Sequence, residues 1–210
     1  MTTLLVIAKE PRPGRVKTRL TPPFTPEEAA ALAEAALADT LSAATCVPAD
    51  RHVLVLDGRP GPWLPPGFEI VPQASGGLDV RLAAAFAACS GPALLIGMDT
   101  PQVTPALLAP ALRWDEHDAW FGAAADGGFW ALGLARPDPS VLLGVPMSTP
   151  ETGAVQHARL RTAGLRIGRL PVLRDVDTAS DARQVAAEAP DTRFAARYAE
   201  LTTTRAGAGR

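Results

Sequence analysis

The sequence predicts an α/β protein in which helices pack on the faces of a largely parallel β-sheet. Apolar runs of strand length recur along the chain, and segments with helical character lie between many of them. Such alternation is typical of parallel sheets covered by helices. Several runs are continuous rather than alternating, which is expected when both faces of a strand are buried. The strands are predicted at residues 3–8, 52–56, 69–71, 93–98, 119–123, 129–134 and 166–171.

Five helices are predicted between and after these strands. The first begins at Thr25-Pro26-Glu27-Glu28, which combines an N-cap, a proline at the first helical position and a capping-box glutamate. An Ala/Leu-rich stretch then continues this helix as far as Ala44. The other helices are predicted at 78–88, at 104–112, after a cap formed by Thr178 and Asp181, and at 191–201.

The chain is predicted to form one domain over residues 1–201, followed by a flexible tail at 202–210. A length of 210 residues suits a single domain with a sizeable core. Nothing in the sequence repeats, and no linker long enough to separate two domains is visible. The tail, TTTRAGAGR, is small and polar, which is typical of a fraying terminus.

Composition and charge argue against several classes of function. Apolar residues make up 47% of the chain and charged residues 20%, and the net charge of −2 argues against nucleic acid as a partner. No apolar stretch approaches the ~20 residues that span a bilayer, so we expect no membrane insertion. Neither a disulfide framework nor a metal site is indicated by Cys46 and Cys89, so free thiols in a reducing cytoplasm are predicted. No feature of the sequence indicates an oligomeric state.

A basic loop follows the first predicted strand and gives the clearest indication of a ligand. It spans residues 9–20, KEPRPGRVKTRL, and contains five cations and Gly14. Both lysines of the chain, Lys9 and Lys17, lie in this loop, whereas arginine supplies the positive charge everywhere else. A strand, a Gly/Pro-rich basic loop and a helix can place N–H groups and cations around a phosphate. The loop is therefore predicted to bind phosphate, against the alternative of a solvated basic turn.

Two familiar phosphate-binding motifs are absent from this loop. Lys17-Thr18 is similar to the end of a P-loop, but that motif needs glycine at positions 11 and 16, where this chain has proline and valine. The dinucleotide fingerprint G-x-G-x-x-G is missing as well. The loop is therefore predicted to be a phosphate-binding loop of a different kind.

Acidic residues lie where ligands bind in sheets of this type, beyond the carboxyl ends of the strands. Asp99 directly follows the fourth apolar run, and Asp177 follows the last one and precedes the cap Thr178. Both carboxylates are candidate ligands of Mg²⁺ or Mn²⁺, since such an ion needs only one or two carboxylates besides substrate phosphates. The alternatives are a salt bridge from Asp99 to the basic loop, and ordinary capping and turn chemistry for Asp175 and Asp177.

The sequence DGGFW at residues 126–130 marks a turn that enters the sixth predicted strand. Its paired glycines let a backbone approach a ligand closely, and either aromatic residue could stack on a sugar or a base. The alternative is a hairpin turn that leads to two core aromatics. If the topology is as predicted, this turn, the basic loop and Asp99 converge at one edge of the sheet.

Several segments together resemble a family of small GT-A-fold proteins. KEPRPGRVKTRL resembles the family signature K-x-P-x-P-G-x-V-K-T-R-L, while IGMDTPQVTP and DGGFWALGL resemble I-G-[ST]-D-x-P-x-L-[TS]-P and D-G-G-Y-x-L-I-G-L. Gln73 with Gly77-Leu78 and Arg81 is similar to Q-x-G-x-L-G-x-R-M, and RDVDTASD is similar to W-D-V-D-T-x-x-D. Members are named as nucleotide-diphospho-sugar transferases and include arsenosugar-biosynthesis-type glycosyltransferases. The similar segments follow in order over nearly the whole chain.

The chain departs from the family pattern at four places. Asp79-Val80 stands where Gly-Glu is usual, and Met98 replaces a serine or threonine. Met147, in a segment similar to W-S-T, and Arg174 each replace a tryptophan. These departures concern the acceptor side of the family's site more than the nucleotide side.

The resemblance implies a single-domain GT-A, Rossmann-like α/β/α sandwich with a mostly parallel mixed sheet. It implies that Asp99 ligates a divalent metal under the nucleotide diphosphate. Asp177 matches the second metal ligand of related nucleotidyltransferases, including guanylyltransferases that act on molybdopterin or phospholactate. The site residues suggested are Lys9, Gly14, Arg15, Lys17, Thr18, Arg19, Gln73 and Arg81 for the nucleotide, with Gln73 where relatives recognise the base, and Gly127, Gly128, Phe129, Ser148 and Thr149 for the acceptor.

These parts agree on transfer from a nucleotide-activated donor. Lys17, Arg19 and a Mg²⁺ or Mn²⁺ ion would stabilise the charge that develops on the departing phosphate. Asp126 is a candidate for orienting or deprotonating an acceptor hydroxyl. We expect a metal-dependent glycosyltransferase that uses a nucleoside diphosphate sugar and a small-molecule acceptor. The alternatives are a nucleotidyltransferase that condenses an NTP with a phosphorylated small molecule and releases pyrophosphate, and a catalytically silent nucleotide-binding domain.

Overall fold

A computed structural model describes the backbone of residues 1–208 and the side chains of residues 1–205. Seven strands form one sheet, and each lies within two residues of its predicted bounds. They are β1 (Thr3–Lys9), β2 (Arg51–Asp57), β3 (Phe68–Pro72), β4 (Ala93–Gly97), β5 (Ala119–Ala124), β6 (Phe129–Leu134) and β7 (Ile167–Leu173).

The strand order is β3-β2-β1-β4-β6-β5-β7, with β1 near the centre of the sheet. The strand β6 runs antiparallel to its neighbours β4 and β5, and every other neighbouring pair is parallel. The predicted mostly parallel mixed sheet is confirmed. Because β6 runs the other way, the turn that precedes it lies at the same edge as the carboxyl ends of β1 and β4.

Six α-helices surround the sheet in the described part of the chain. The five predicted helices are present, although the third is a single α-turn followed by a 3-10 turn at Ala109–Leu112. A further helix, α4, was not predicted. The helices are α1 (Pro26–Thr45), α2 (Leu78–Ala87), α3 (Pro105–Leu108), α4 (Thr152–Thr162), α5 (Ala179–Glu188) and α6 (Arg193–Ala208).

The predicted end of the last helix is wrong. Residues 202–208 were expected to begin a flexible tail, but α6 continues to Ala208. The reason is a contact with the first helix, because Arg205 pairs with Glu28, donates to the carbonyl of Pro23 and lies 4.8 Å from the centre of the Phe24 ring. Residues 209–210 lie outside the described residues.

The predicted helix caps are confirmed. Thr25 Oγ1 accepts from the backbone N–H of Glu28 at 3.2 Å, and the Glu28 carboxylate accepts from the backbone N–H of Thr25 at 2.7 Å. Thr178 and Asp181 make the same reciprocal pair at the start of α5. Each box satisfies N–H groups that the first helical turn leaves without a partner, so both helices begin where the sequence indicates.

Buried side chains pack in three clusters, and two of these clusters join the sheet to the helices on its two faces. One cluster joins one face of the sheet to α1, through residues such as Val6, Leu54 and Leu37. A second joins the other face to α2 and α4, through residues such as Val55, Phe86 and Leu160. The arrangement is an α/β/α sandwich. None of the helices in the described part of the chain has the length and apolar character that crossing a membrane requires.

The third cluster lies on the side of α1 that faces away from the sheet. It contains Leu32 of α1, Val185 of α5 and Phe194 of α6, all fully buried. Two further members, Leu20 and Val176, come from the loops that follow β1 and β7. Those loops carry predicted site residues, so α5 and α6 help to position the edge of the sheet where ligands are expected.

Candidate active site

The basic loop leaves the carboxyl end of β1 and is fixed by two buried side chains, Val16 and Leu20. Val16 packs in the cluster that joins the sheet to α1, and Leu20 packs in the third cluster. Between them Lys17 has a left-handed backbone, with φ 50° and ψ 38°, and opens a 3-10 turn over Thr18–Leu20. These anchors hold the backbone on either side of Lys17, so the direction of its side chain is defined by the fold.

The Lys17 ammonium lies between two carboxylates that are distant in sequence. Its Nζ is 2.8 Å from Asp99 Oδ1 and 3.0 Å from Asp177 Oδ1, and only 8% of the side chain is exposed. Burial by itself lowers the pKa of this lysine, but the attraction of the two carboxylates outweighs burial and raises the pKa above its ordinary value. Lys17 is therefore a charged group at neutral pH.

The strands β4 and β7 bring the two carboxylates together. Asp99 lies just beyond β4, and its carbonyl accepts a hydrogen bond of 2.9 Å from the N–H of Val176, which precedes Asp177. Since Asp99 and Asp177 each place an oxygen within 3.0 Å of the same ammonium, those oxygens are about 6 Å apart at most. Two oxygens that ligate one Mg²⁺ at about 2.1 Å each lie within roughly 5 Å of each other, so a shared ion stays a prediction for this pair.

A third carboxylate, Asp175, belongs to the same place, although the sequence indicated only turn chemistry for it. Its Oδ1 is buried and has no hydrogen-bond partner. Burial, followed by the negative charges of Asp99 and Asp126, raises the pKa of Asp175 to about 7. The N–H of Asp177 donates to the Asp175 carbonyl at 3.1 Å, so the two residues belong to one tight turn after β7.

These residues form a charged cluster (Lys17, Arg19, Asp99, Asp175 and Asp177) whose chemistry fits a divalent cation. Carboxylate oxygens are the donors that Mg²⁺ and Mn²⁺ prefer, and the buried oxygen of Asp175 has no proton donor in the protein. Among the residues with described side chains, no group of three or more His, Cys, Asp or Glu is arranged to hold a metal. An ion here would need further oxygen ligands, which nucleotide phosphates can supply.

Other cations of the basic loop face solvent. Arg19 is 74% exposed and its guanidinium is 3.6 Å from Asp177 Oδ2. Lys9 and Arg15 are exposed and line the same cleft. Their charges are therefore available to an anionic ligand, whereas the charge of Lys17 is already paired.

The carboxamide of Gln73, the predicted base-recognition residue, is held by the protein. Its NH₂ group donates to the carbonyl of Ala8 at 2.7 Å and to that of Val55 at 3.2 Å. Its oxygen accepts from Arg81, which also donates to Asp57 at 3.1 Å. The side chain can therefore offer a ligand only the second lone pair of its oxygen, and Arg81 fixes where that oxygen lies.

The opposite side of the cleft is a glycine turn, Asp126–Gly128, that packs on the start of α4. Asp126 Oδ1 accepts from the N–H of Gly128 at 2.8 Å. Gly127 has φ +91°, and a Cβ there would overlap the carbonyl of Pro150. The N–H of Gly153 donates to the Gly127 carbonyl at 2.8 Å. These contacts explain the glycine at 127 and the position of the unpredicted helix.

The segment before α4 completes this side. Ser148 has φ +60°, which is uncommon for a residue with a side chain. The N–H of Thr149 donates to Thr152 Oγ1 at 3.1 Å, and that buried hydroxyl donates to the carbonyl of Pro146 at 2.8 Å. Thr152 was not predicted, and it fixes the predicted residues Ser148 and Thr149 at the rim.

The structure brings most of the predicted residues to one cleft of about 890 Å³. Gly14 and Gly127 are exceptions: Gly14 lies at the open tip of its loop and Gly127 lies behind its turn against Pro150. Both aromatic residues of the turn line the cleft, but Trp130 is almost fully buried and donates to the carbonyl of Pro171, whereas Phe129 is only partly buried. The predicted residues that line it are Lys9, Arg15, Lys17, Thr18, Arg19, Gln73, Arg81, Asp99, Asp126, Gly128, Phe129, Ser148, Thr149 and Asp177.

Comparison with known proteins identifies relatives of both the sequence and the fold. The family model described as "Uncharacterized protein conserved in bacteria (DUF2064)" matches residues 31–149. A search of curated proteins gives no match. Among solved structures, a protein provisionally named as a nucleotide-diphospho-sugar transferase from Desulfovibrio desulfuricans G20 superimposes with a TM-score of 0.85, at 26% identity over 98% of this chain and 95% of that one.

Two more distant structures share the fold. Rv0371c from Mycobacterium tuberculosis H37Rv, in complex with manganese, has a TM-score of 0.54 at 21% identity over 88% of this chain and 96% of that one. The 2-C-methyl-D-erythritol 4-phosphate cytidylyltransferase from Thermus thermophilus has a TM-score of 0.55 at 15% identity over 90% of this chain and 100% of that one. The predicted Rossmann-like fold is thus confirmed by structures at several levels of identity.

Proposed function

This chain belongs to the DUF2064 family, and from the residues of its cleft we propose that it is a metal-dependent transferase whose donor is a nucleoside diphosphate sugar. One observation supports the proposal above the others: cations and carboxylates from three distant segments converge where sheets of this type bind ligands. The acceptor is a small molecule bound on the side of the glycine turn.

Asp99 and Asp177 are the residues that would hold a Mg²⁺ or Mn²⁺ ion. When bound, such an ion neutralises charge on a diphosphate. Lys17 and Arg19 donate to the phosphate oxygens and stabilise the charge that grows as the diphosphate leaves. The exposed cations Lys9 and Arg15 add attraction for the same anion.

The other residues of the cleft bind and orient the two substrates. Gln73, held by Arg81, presents a carbonyl oxygen to the base. Asp126 has one oxygen bonded to Gly128, and its second oxygen is the candidate to orient or deprotonate an acceptor hydroxyl. Gly128, Phe129, Ser148 and Thr149 shape the acceptor side, where Phe129 offers an apolar face for a sugar ring.

A nucleotidyltransferase is the second candidate, supported by the cytidylyltransferase among the structures that share the fold. In that reaction an NTP is attacked at its α-phosphorus by a phosphorylated small molecule, and pyrophosphate leaves. The same cations and carboxylates would serve, because both reactions develop charge on departing phosphates. A cytoplasmic location is part of the proposal, supported by the free thiols of Cys46 and Cys89.

The experiment is a turnover assay with two readouts and Mn²⁺ or Mg²⁺. Release of a nucleoside diphosphate from a panel of nucleotide sugars supports the glycosyltransferase, and release of pyrophosphate from NTPs with phosphorylated acceptors supports the nucleotidyltransferase. Asp126→Asn tests the proposed role of Asp126 in acceptor activation, because it should lower turnover without lowering nucleotide affinity. Tight nucleotide binding with no turnover of any donor would instead favour a silent nucleotide-binding domain.

A further inference from the structure

The Lys17 ammonium occupies the space between the two carboxylates that would hold a metal. Its nitrogen is at hydrogen-bond distance from an oxygen of Asp99 and from an oxygen of Asp177. A Mg²⁺ ion would need the same oxygens at about 2.1 Å. A divalent ion that took the position between these two oxygens would displace the ammonium nitrogen, because the two cations cannot occupy the same place.

The surroundings hold the ammonium in place when no ligand competes. The side chain is 8% exposed, which leaves little water to solvate the charge elsewhere. The backbone on either side is anchored by Val16 and Leu20, so only the flexible side chain itself can move away.

We propose that Lys17 is a resident counter-cation that makes the cleft select a metal–polyphosphate complex over the free metal ion. This inference rests on the proposed function and deepens it by naming the form in which the donor binds. A free divalent ion meets a site that already holds a cation, and it must displace an ammonium that is paired with both carboxylates. A metal that arrives on a diphosphate supplies that anion, so the ammonium moves to a phosphate oxygen as the metal takes the carboxylates.

The charges of the site favour this exchange. Removing an ammonium from two carboxylates without a new partner leaves a buried charge uncompensated, which is costly. Placing a divalent ion beside it adds strong repulsion, because like charges a few ångströms apart repel each other strongly at the edge of a protein. Arg19 contributes much less to this exclusion, because its guanidinium is 3.6 Å from Asp177 and mostly in solvent.

The test compares Lys17→Met with Arg19→Met, two substitutions that each remove one cation from the same loop. Calorimetric titration of the metal-free protein with Mn²⁺ alone should give a dissociation constant roughly tenfold or more lower in Lys17→Met than in the wild type. In Arg19→Met the constant should change by less than about threefold, because Arg19 does not contact the oxygens shared with Lys17. Circular dichroism and thermal unfolding establish that each variant is folded.

A second titration needs no variant and uses the wild-type protein with the preformed manganese–pyrophosphate complex. The complex should bind at least about tenfold more tightly than Mn²⁺ alone, and Lys17→Met should lose most of that preference. Equal affinity of the wild type for the ion and the complex would overturn the proposal. So would a folded Lys17→Met protein that binds free Mn²⁺ no more tightly than the wild type does.

These titrations separate the inference from the proposed function, because neither requires turnover. If Lys17 excludes free Mn²⁺ but the protein turns over no donor, the inference holds and the proposed function is wrong. If the protein transfers a sugar but Lys17→Met leaves the Mn²⁺ affinity unchanged, the proposed function holds and the inference is wrong.

Discussion

The two sides of the cleft are built in different ways. The charged cluster is held together by ion pairs between side chains from the loops after β1, β4 and β7. The glycine turn is held by a hydrogen bond between main chains and by the close approach of Gly127 to Pro150. Side-chain ion pairs can exchange partners when an anion binds, whereas the Gly153–Gly127 hydrogen bond and the Gly127–Pro150 contact involve no charged group with which an anion could pair. From this comparison we expect the proposed nucleotide side to rearrange with its ligand and the proposed acceptor side to be formed already.

The largest effect is expected on the charged side, from Asp99→Asn. This change removes one of the two carboxylates that would hold the metal, so transferase activity should fall about 1000-fold or more. The free energy of unfolding should change by less than about 1 kcal/mol, because Asp99 is 38% exposed and Lys17 keeps its pair with Asp177. Initial rates at saturating metal and urea unfolding measure the two quantities.

The control for this change is Asp115→Asn, at an exposed position away from the cleft. It should leave both activity and stability unaltered. If Asp99→Asn unfolded the protein, the cluster would have to be considered part of the core rather than an exchangeable set of charges.

On the acceptor side the effect is expected in stability, from Gly127→Ala. The added Cβ would overlap the Pro150 carbonyl, and the residue would keep a positive φ. We expect a loss of about 3 kcal/mol in the free energy of unfolding, from backbone strain and steric overlap together. Gly164→Ala is the matched control, since Gly164 also has a positive φ, of +75°, but its Cβ would meet no atom within 4 Å.

Gly164→Ala should cost only about 1 kcal/mol, the strain component alone. The difference between the two variants isolates the contact between the glycine turn and α4. Equal losses would mean that this contact does not constrain the acceptor side, and the contrast between the two sides would disappear.

A smaller effect is expected for single cations of the basic loop. Lys17→Ala and Arg19→Ala should each weaken nucleotide binding by about 1.5–3 kcal/mol for every charge-assisted hydrogen bond that the substitution removes. Arg12→Ala should matter less, because Arg12 lies outside the cleft lining and its guanidinium is 3.8 Å from Glu10. Calorimetric titration with a nucleoside diphosphate and metal measures the nucleotide affinity of each of the three variants. Equal and mild effects in all three would indicate a solvated charge run instead of a phosphate-binding loop.

Local sequence patterns were sufficient for most of the fold. Every strand was predicted because apolar runs and their breaks are local, and the caps at Thr25 and Thr178 gave the starts of two helices. The helix α4 was missed because TGAVQHARLRT contains glycine and β-branched residues and has no side-chain cap. Its first turn is stabilised by the hydrogen bond from Gly153 to Gly127, a tertiary contact that sequence spacing does not reveal.

The candidate site, like the fold, could be predicted from the sequence only in part. Asp99 could be identified because it directly follows an apolar run, and the basic loop because it concentrates the chain's lysines. The environment of Asp175 could not, because its raised pKa depends on burial by the fold and on Asp99 and Asp126, which are distant in sequence. The position of Lys17 between two carboxylates likewise depends on how β4 and β7 are placed in the sheet.

The third cluster has a consequence for the order in which the protein is made. Leu20, which follows Lys17, and Val176, which precedes Asp177, share that cluster with Phe194 of α6. A ribosome releases the chain from its amino terminus, so all seven strands emerge before α6 does. The sheet can therefore assemble on a nascent chain before the third cluster, which joins the two loops that carry the charged cluster, is complete.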